Sequence, residues 1–349
     1  MVITGKMLGR FLLRSITGVL LGMLFIYALW PWLPFRLRET RPKTLIFYGS
    51  SILERVMKQA AFPAFENLWF MKTGERLEII SSFAGSGTIT NQLLMGVPAE
   101  MALLSLELDA QRLSASHLIE DQSWHRLPHR GVLNRTPIVL LVRPGNPRGV
   151  QDFADLALKG VRLIHPDPST SGGANWAIVA EYGSALALNS GNSQAATDLL
   201  SGIWNNVVAR ASSARAARTM FDNGFGDVLV TYEQEVLFDH SRGILRGEIV
   251  YPKRTVLCEN TLVLIDKNIT PEARGVVDAF VTFLWSEQAQ RIFVNYDFRS
   301  INECLNEERS DFGNIPQPSS IEEFGGWGKV KSDIIEDIWK NQVLKRIRS

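Results

Sequence analysis

Two turns in this 349-residue chain have the composition to hold an anion. Phe83-Ala-Gly-Ser-Gly87 follows the apolar run Leu77–Ser82, and Pro168-Ser-Thr-Ser-Gly-Gly173 follows Val161–His165; each opens a helical pattern. The first N–H groups of a helix have no partner inside it, and the aligned peptide dipoles make that end partly positive. Several such ends aimed at one point form a cage for an oxyanion without a lysine or arginine at its centre. Ser86 with Gly87, and Ser171 with Gly172 and Gly173, are therefore the candidate ligand-binding residues. Paired glycines also permit a closer backbone approach than an ordinary turn needs. A serine ahead of a helix is by itself an ordinary cap, so the pattern gains weight only from its repetition.

Catalytic chemistry finds less support. Gly85-Ser-Gly87 lacks the nucleophile-elbow spacing, in which glycines stand two residues either side of the serine, and neither turn, 83–87 or 168–173, contains a histidine to serve as its base. His125 and His129 stand four apart, as metal ligands on one helix face can, but Pro128 between them argues against that helix. Cys258 and Cys304 can pair in an exported domain, or stay free; their spacing matches no metal motif. No cofactor is expected.

The elements that must position the two turns alternate between strand and helix, which points to an α/β architecture. Strands are expected at Thr44–Tyr48, Leu77–Ser82, Glu100–Leu106, Pro137–Arg143, Val161–His165, Asp227–Tyr232 and Val256–Ile265. A helix from Ser51 is expected to be interrupted near Pro63. A long helix over Pro271–Val294 opens with Thr270 as cap, Pro271 at its first position and Glu272 facing the dipole. Pro137–Arg143 and Val256–Ile265 suit a passage between two lobes, so a clamshell with two hinge strands is expected. The implied divisions are a segment 1–43, a first lobe from 44–137 and 255–312, a second lobe from 138–254, and a C-terminal tail and helix over 313–349.

The N-terminus stands apart. Lys6, Arg10 and Arg14 precede an uncharged run from Ser15 to Phe35, and Arg36, Arg38, Arg41 and Lys43 follow it. Roughly 20 apolar residues can cross a bilayer, and Trp30 and Trp32 suit its boundary. This reads as one uncleaved transmembrane helix holding an exported domain at the membrane, with a signal segment that is removed as the alternative. The first 43 residues carry seven basic residues and one acidic; since the whole chain is +1, the remainder is about −5. That sign disfavours a nucleic-acid partner.

The chain resembles the periplasmic sulfate-binding proteins of ATP-driven (ABC) sulfate importers. The segments that carry the resemblance are Phe83-Ala-Gly-Ser-Gly87 against the family's His-Gly-Gly-Ser-Gly, Arg126-Leu-Pro128 followed by Val139–Pro147, and Pro168–Trp176. Gly226-Asp-Val-Leu-Val-Thr-Tyr-Glu233 and Phe324-Gly-Gly-Trp327 complete them. The resemblance implies a two-lobed periplasmic-binding-protein fold of the second type, a dehydrated sulfate or similar oxyanion between the lobes, and permease subunits as partners of a monomeric protein. Its runner-up is a membrane-tethered oxyanion sensor that has kept the clamshell.

Carried over by position, the resemblance gives Ser86 a hydroxyl donor's role and Gly87 an amide. Ser171, Gly172 and Gly173 supply a hydroxyl and a run of amides, Ala214 a further amide, and Tyr232 a donor where the family has tryptophan. The family's Ser-Tyr-Asp becomes Phe47-Tyr-Gly49, so Gly49 or Ser50 must supply any amide there. Arg215 is expected either on the anion or behind the site tied to a carboxylate, and Glu233 behind the site as the partner of such a cation. With only neutral donors around it, the cage should favour sulfate, which accepts hydrogen bonds alone, over hydrogen phosphate, which must also donate one.

Overall fold

The computed structural model describes residues 4–29 and 42–348, and the chain divides into two units, Met1–Pro42 and Lys43–Ser349. In the first, a helix α1 spans Thr4–Leu29, and its large apolar side chains between Ile16 and Tyr27 are more than half exposed. Among the described residues no helix is long and apolar enough to cross a membrane. The helix takes in Lys6, Arg10 and Arg14 in sequence, which leaves Ser15–Leu29 as its uncharged part, short of the roughly 20 residues a crossing takes. The rest of the expected span, residues 30–35, lies outside the described residues.

The second unit is a mixed α/β fold. Its strands are β1 (Lys43–Ser50), β2 (Leu77–Ala84), β3 (Met101–Leu104), β4 (Val132–Val142), β5 (Leu163–Pro166), β6 (Val207–Ala211), β7 (Val228–Tyr232), β8 (Glu248–Val250), β9 (Arg254–Leu264), β10 (Arg299–Ser300) and β11 (Gln317–Ser319). Eight of them run in the order β2-β1-β3-β9-β4-β7-β5-β6, while β8 and β10 pair with β4 and β11 with β9. β1 pairs in parallel with β2 and β3, and β5 in parallel with β6 and β7. All four residues of β3, and all five of β7, are buried, as strands covered on both faces must be.

The two parallel groups are joined by an antiparallel pair. β4 lies against β9 from Val132 to Pro137 and against β7 from Ile138 to Val142. β9 lies against β4 as far as Thr261 and then against β3. β4 changes partners at Pro137, where a residue without an N–H costs the ladder least. These are the two strands expected to cross between lobes.

The principal helices of the second unit are α2 (Ser86–Leu94), α3 (Glu107–Ala115), α4 (Gly172–Leu188), α5 (Ser193–Asn205), α6 (Ala214–Asp222), α7 (Glu233–His240), α8 (Pro271–Leu284), α9 (Glu287–Asn295) and α10 (Val330–Val343). Residues 51–73 form one helical run, so Pro63 does not interrupt it. The turn before it is widened instead, with the Phe62 N–H donating to the Met57 carbonyl five residues back. That extra residue gives the proline ring the room an ordinary turn denies it.

The single helix expected over 271–294 is two helices. The first ends at Trp285, and Ser286 caps the second by accepting from the Ala289 N–H at 3.3 Å. Around them Phe47, Phe62, Phe65, Phe280 and Phe283 form an aromatic core, with Phe65 and Phe280 4.6 Å apart. Such a pair is worth about 0.5–1.5 kcal/mol beyond its buried area.

The C-terminal tail pairs through β11 with the start of β9 and ends in α10, a helix of wide turns in which the Leu344 N–H reaches the Trp339 carbonyl. Trp327 packs edge-on to Trp176 at 4.5 Å, and Trp339 to Trp204 at 5.1 Å. Cys258 is buried and Cys304 exposed; both are free. His125 and His129 share no helix, because His129 has φ +49°, and His125 instead meets Glu107 at 3.3 Å.

Candidate functional site

In a parallel sheet the chain leaves each strand's C-terminal end and turns into a helix, so helix N-termini gather along one edge. Here α2 follows β2, α4 follows β5, α6 follows β6, and the helical run from Ser51 follows β1 directly. The antiparallel join of β9 and β4 turns the two parallel groups so that these ends face one another.

The closeness of the facing halves is measured at the glycines. A methyl group on Gly85 would stand 2.6 Å from the Ser212 carbonyl oxygen and nearer still to that of Thr170. One on Gly87 would stand 3.2 Å from the carbonyl oxygens of Ser169 and Thr170. One on Gly172 would lie 2.5 Å from the Ser105 hydroxyl and 3.2 Å from the Ser86 Cβ. One on Gly173 would lie 2.8 Å from the Tyr232 hydroxyl. The Thr88 N–H donates across to the Thr170 carbonyl at 3.3 Å. Ser86, Gly87, Ser171, Gly172, Gly173 and Tyr232 therefore share one closed cleft.

The loop that carries Ser171 is braced by itself. Asp167 accepts from the Ser169 N–H at 2.8 Å and its carbonyl from the Ser171 N–H at 2.8 Å, while its own N–H donates to the Ala211 carbonyl. Ser171 heads α4 without a side-chain capping bond, so its hydroxyl is not spent on the helix. At α6, Ser213 caps by accepting from the Ala216 N–H at 3.1 Å, and the Ala214 N–H is among the first-turn donors such a cap leaves over. The Arg215 guanidinium lies 3.5 Å from the Ile52 carbonyl, which brings this helix end beside the one that begins at Ser51.

Gly49 is engaged differently. It is paired with Phe83 on one side of β1 and Leu103 on the other, and a methyl group there would meet the Phe83 ring at 2.6 Å. The helix start beyond it belongs to Ser50 and Ser51, both buried, and Ser50 makes no side-chain cap bond.

Tyr232 is 2% exposed, and its hydroxyl has no well-formed hydrogen-bond partner, although Ser105 stands near enough to influence it. Burial pushes its pKa well up, so it remains a neutral phenol. A buried hydroxyl left unpaired costs about 1–3 kcal/mol, a cost relieved by an acceptor in the cleft.

Arg215 and Glu233 do not pair with each other. Arg215 holds Glu235 at 2.9 Å, whereas Glu233, fully buried, receives two bonds from Arg299 at 2.8 and 2.7 Å and one from the Gly313 N–H at 3.0 Å. Glu233 thus ties β10 and the start of the tail to α7.

Two residues at the cleft had no place among the candidates. Ser105, just after β3, donates its N–H to the Ser86 Oγ at 3.2 Å and accepts at its carbonyl from the Trp176 indole at 2.6 Å. Asp109, in the first turn of α3, accepts the Ser86 hydroxyl proton at 2.6 Å and meets Arg112 at 3.2 Å. Burial raises the Asp109 pKa, while Ser86 and Arg112 work against that rise. The Ser86 hydroxyl, expected to donate to the anion, is instead given to Asp109, which leaves the Ser86 N–H as the spare donor at this helix start. A cavity of about 170 Å³ beside the helix ends is lined by Gly87, Asp109, Arg112, Ser171, Gly172 and Lys331, among others.

Facing parallel groups, two crossing strands and a cleft of helix N-termini define a two-lobed solute-binding fold. The sequence matches the family described as bacterial extracellular solute-binding protein over residues 46–299, and the chain belongs to that family. It is 32% identical over 275 residues to a sulfate-binding protein of Salmonella typhimurium, covering 77% of this chain and 83% of that one. It is 30% identical over 275 residues to a thiosulfate-binding protein of Pseudomonas aeruginosa, covering 77% and 82%. Among solved structures, the sulfate-binding protein SubI from Mycobacterium tuberculosis superposes with a TM-score of 0.74 at 27% identity, covering 83% of this chain and 98% of that one. A periplasmic thiamin binding protein shares the fold at 13% identity, with a TM-score of 0.62.

Proposed function

We propose that this protein is an extracytoplasmic binding protein that captures sulfate, or a tetrahedral oxyanion of its shape, between its lobes and delivers it to an ABC importer. The observation that carries this reading is the convergence of the starts of α2, α4 and α6 with the Ser51 turn on one cleft, joined by the unpaired Tyr232 hydroxyl. An oxyanion accepts from all of them at once, and the dipoles spread its charge. The named sulfate- and thiosulfate-binding relatives support the same ligand class. The donors proposed are Ser50, Ser86, Gly87, Ser171, Gly172, Gly173, Ala214 and Tyr232, with Gly49 shaping the turn before Ser50. The lobes comprise 44–137 with 255–312, and 138–254. The protein catalyses no reaction of its own; movement of the lobes presents the loaded ion to a permease.

Tethering by residues 15–35 belongs to the same proposal, supported by the basic residues on either side of that run and by the exposed apolar side chains of α1. A tethered protein stays with membranes through an alkaline wash; release into the wash would overturn the tether alone.

Calorimetric titration of the purified protein with sulfate, thiosulfate, molybdate and tungstate tests the ligand. Saturable binding of at least one is expected. Ser171→Ala should weaken that binding roughly tenfold, the value of about 1.5 kcal/mol for a hydrogen bond to a charged group, with an unchanged melting temperature of the free protein. No binding of any of the four would overturn the reading.

A further inference from the structure

We infer that Arg55 is a latch that holds the closed cleft from outside the ligand site, by stacking on Phe238 of the opposite half. The inference rests on the reading of the protein as a closing oxyanion binder. Arg55 belongs to the helical run that follows β1, in the β2-β1-β3 group, and Phe238 to α7, which follows β7 in the other group. The Arg55 guanidinium carbon stands 3.5 Å from the centre of the Phe238 ring.

That ring carries a second cation. The Arg242 guanidinium carbon is also 3.5 Å from its centre, and two planar groups so near one centre cannot share a face, so the ring lies between them. An aromatic ring is negative on both faces and takes a cation on each. The two arginines are held differently. Arg242 donates to the Phe238 carbonyl at 2.9 Å, which caps the end of α7 from within the same half and survives any movement of the lobes. Arg55 has no hydrogen bond or ion pair among the described residues, so its place on the ring depends on the two halves being together.

The neighbouring charges leave Arg55 to the ring. Burial and the nearby Arg215 push its pKa down, while Glu235 and Asp239 work against this. Both carboxylates are already engaged, Glu235 with Arg215 at 2.9 Å and Asp239 with Arg218 at 2.8 Å. A guanidinium is weakly hydrated and stacks flat, so an aromatic face suits it where no carboxylate is free. Arg215 crosses the same gap toward the Ile52 carbonyl, so the start of the run after β1 meets the second half at two points. Arg55 lies one turn beyond the Ser51 helix start, and with its side chain on Phe238 it acts through closure instead of on the ion.

A contact made only in the closed state adds its free energy to closure, and the affinity of every ligand that needs closure changes by the same factor. For a half-buried arginine on an aromatic face that factor is about fivefold. The test is calorimetric titration of the full-length protein with sodium sulfate and sodium thiosulfate. Arg55→Ala should weaken each anion that the wild type binds by the same factor of about five, with the melting temperature of the free protein unchanged. In a Phe238→Leu background the same substitution should have no further effect, because the aromatic face is already gone.

An Arg55→Ala protein that binds as tightly as the wild type, or more tightly, would overturn the inference. So would a loss that persists in the Phe238→Leu background, or one that differs between the two anions, which would place Arg55 on the ion itself. The Arg55→Ala result stands even if the Phe238 variant fails to fold. If the wild-type protein binds neither anion, the oxyanion reading falls separately. The latch is then read without ligand by small-angle scattering, as a smaller closed fraction in Arg55→Ala, and identical scattering from the two proteins would overturn it.

Discussion

Gly85→Ala is expected to reduce oxyanion affinity about a hundredfold or more while leaving the free protein folded. The Gly85 backbone, at φ −57° and ψ 140°, suits any residue, so alanine brings no local strain. What it brings is a methyl group 2.6 Å from the Ser212 carbonyl oxygen and nearer still to that of Thr170. Both obstacles are backbone and neither can rotate aside. Overpacking at a rigid interface costs about 3 kcal/mol at the upper end of the usual range, which is about a hundredfold in affinity. Only the closed arrangement meets this cost. An opened cleft separates the two halves, so the variant should keep its unfolding temperature and lose the compaction on ligand addition that small-angle scattering reads. A Gly85→Ala protein that binds as the wild type does would show that the facing loops are not held this close in solution.

The second large effect concerns stability. Arg299→Ala should destabilise the protein by about 3–5 kcal/mol, the usual cost of leaving a buried charge without its partner. At about 2 °C per kcal/mol for a chain of this size, the melting temperature should drop by about 6–10 °C. Glu233 is fully buried and takes both of its strong bonds from Arg299; the Gly313 N–H that remains cannot balance a charge. The double variant Arg299→Ala/Glu233→Gln removes the stranded charge and should recover part of the loss. If the double variant is as unstable as the single one, packing rather than charge is what Arg299 contributes.

The parts of the site that could be read from sequence are those in which the chemistry is local. Ser86-Gly87 and Ser171-Gly-Gly173 announce a helix start with spare amides, and the order of apolar runs places each at a strand's end. Ser105 and Asp109 carry no such mark. Asp109 resembles any acidic residue in a first helical turn, and its role arises only because β3 lies between β1 and β9, which sets α3 against the start of α2. Pairings of that range are decided by the packing of the whole sheet. Two departures from expectation are of a different kind. Ser286-Glu287 is a helix start inside the expected helix, masked in sequence because the apolar period continues through it. Pro63 does mark a departure from the α-helix, but the chain responds by widening a turn instead of ending the helix.

The indole of Trp176 links the two halves of the cleft, donating from α4 to the Ser105 carbonyl at 2.6 Å with Trp327 edge-on against it. Parting the halves must break that bond and let solvent reach a chromophore that is otherwise 1% exposed. The protein therefore contains its own optical gauge of opening. The part of its ultraviolet emission that comes from Trp176, one of nine tryptophans, should shift to longer wavelength when the cleft opens.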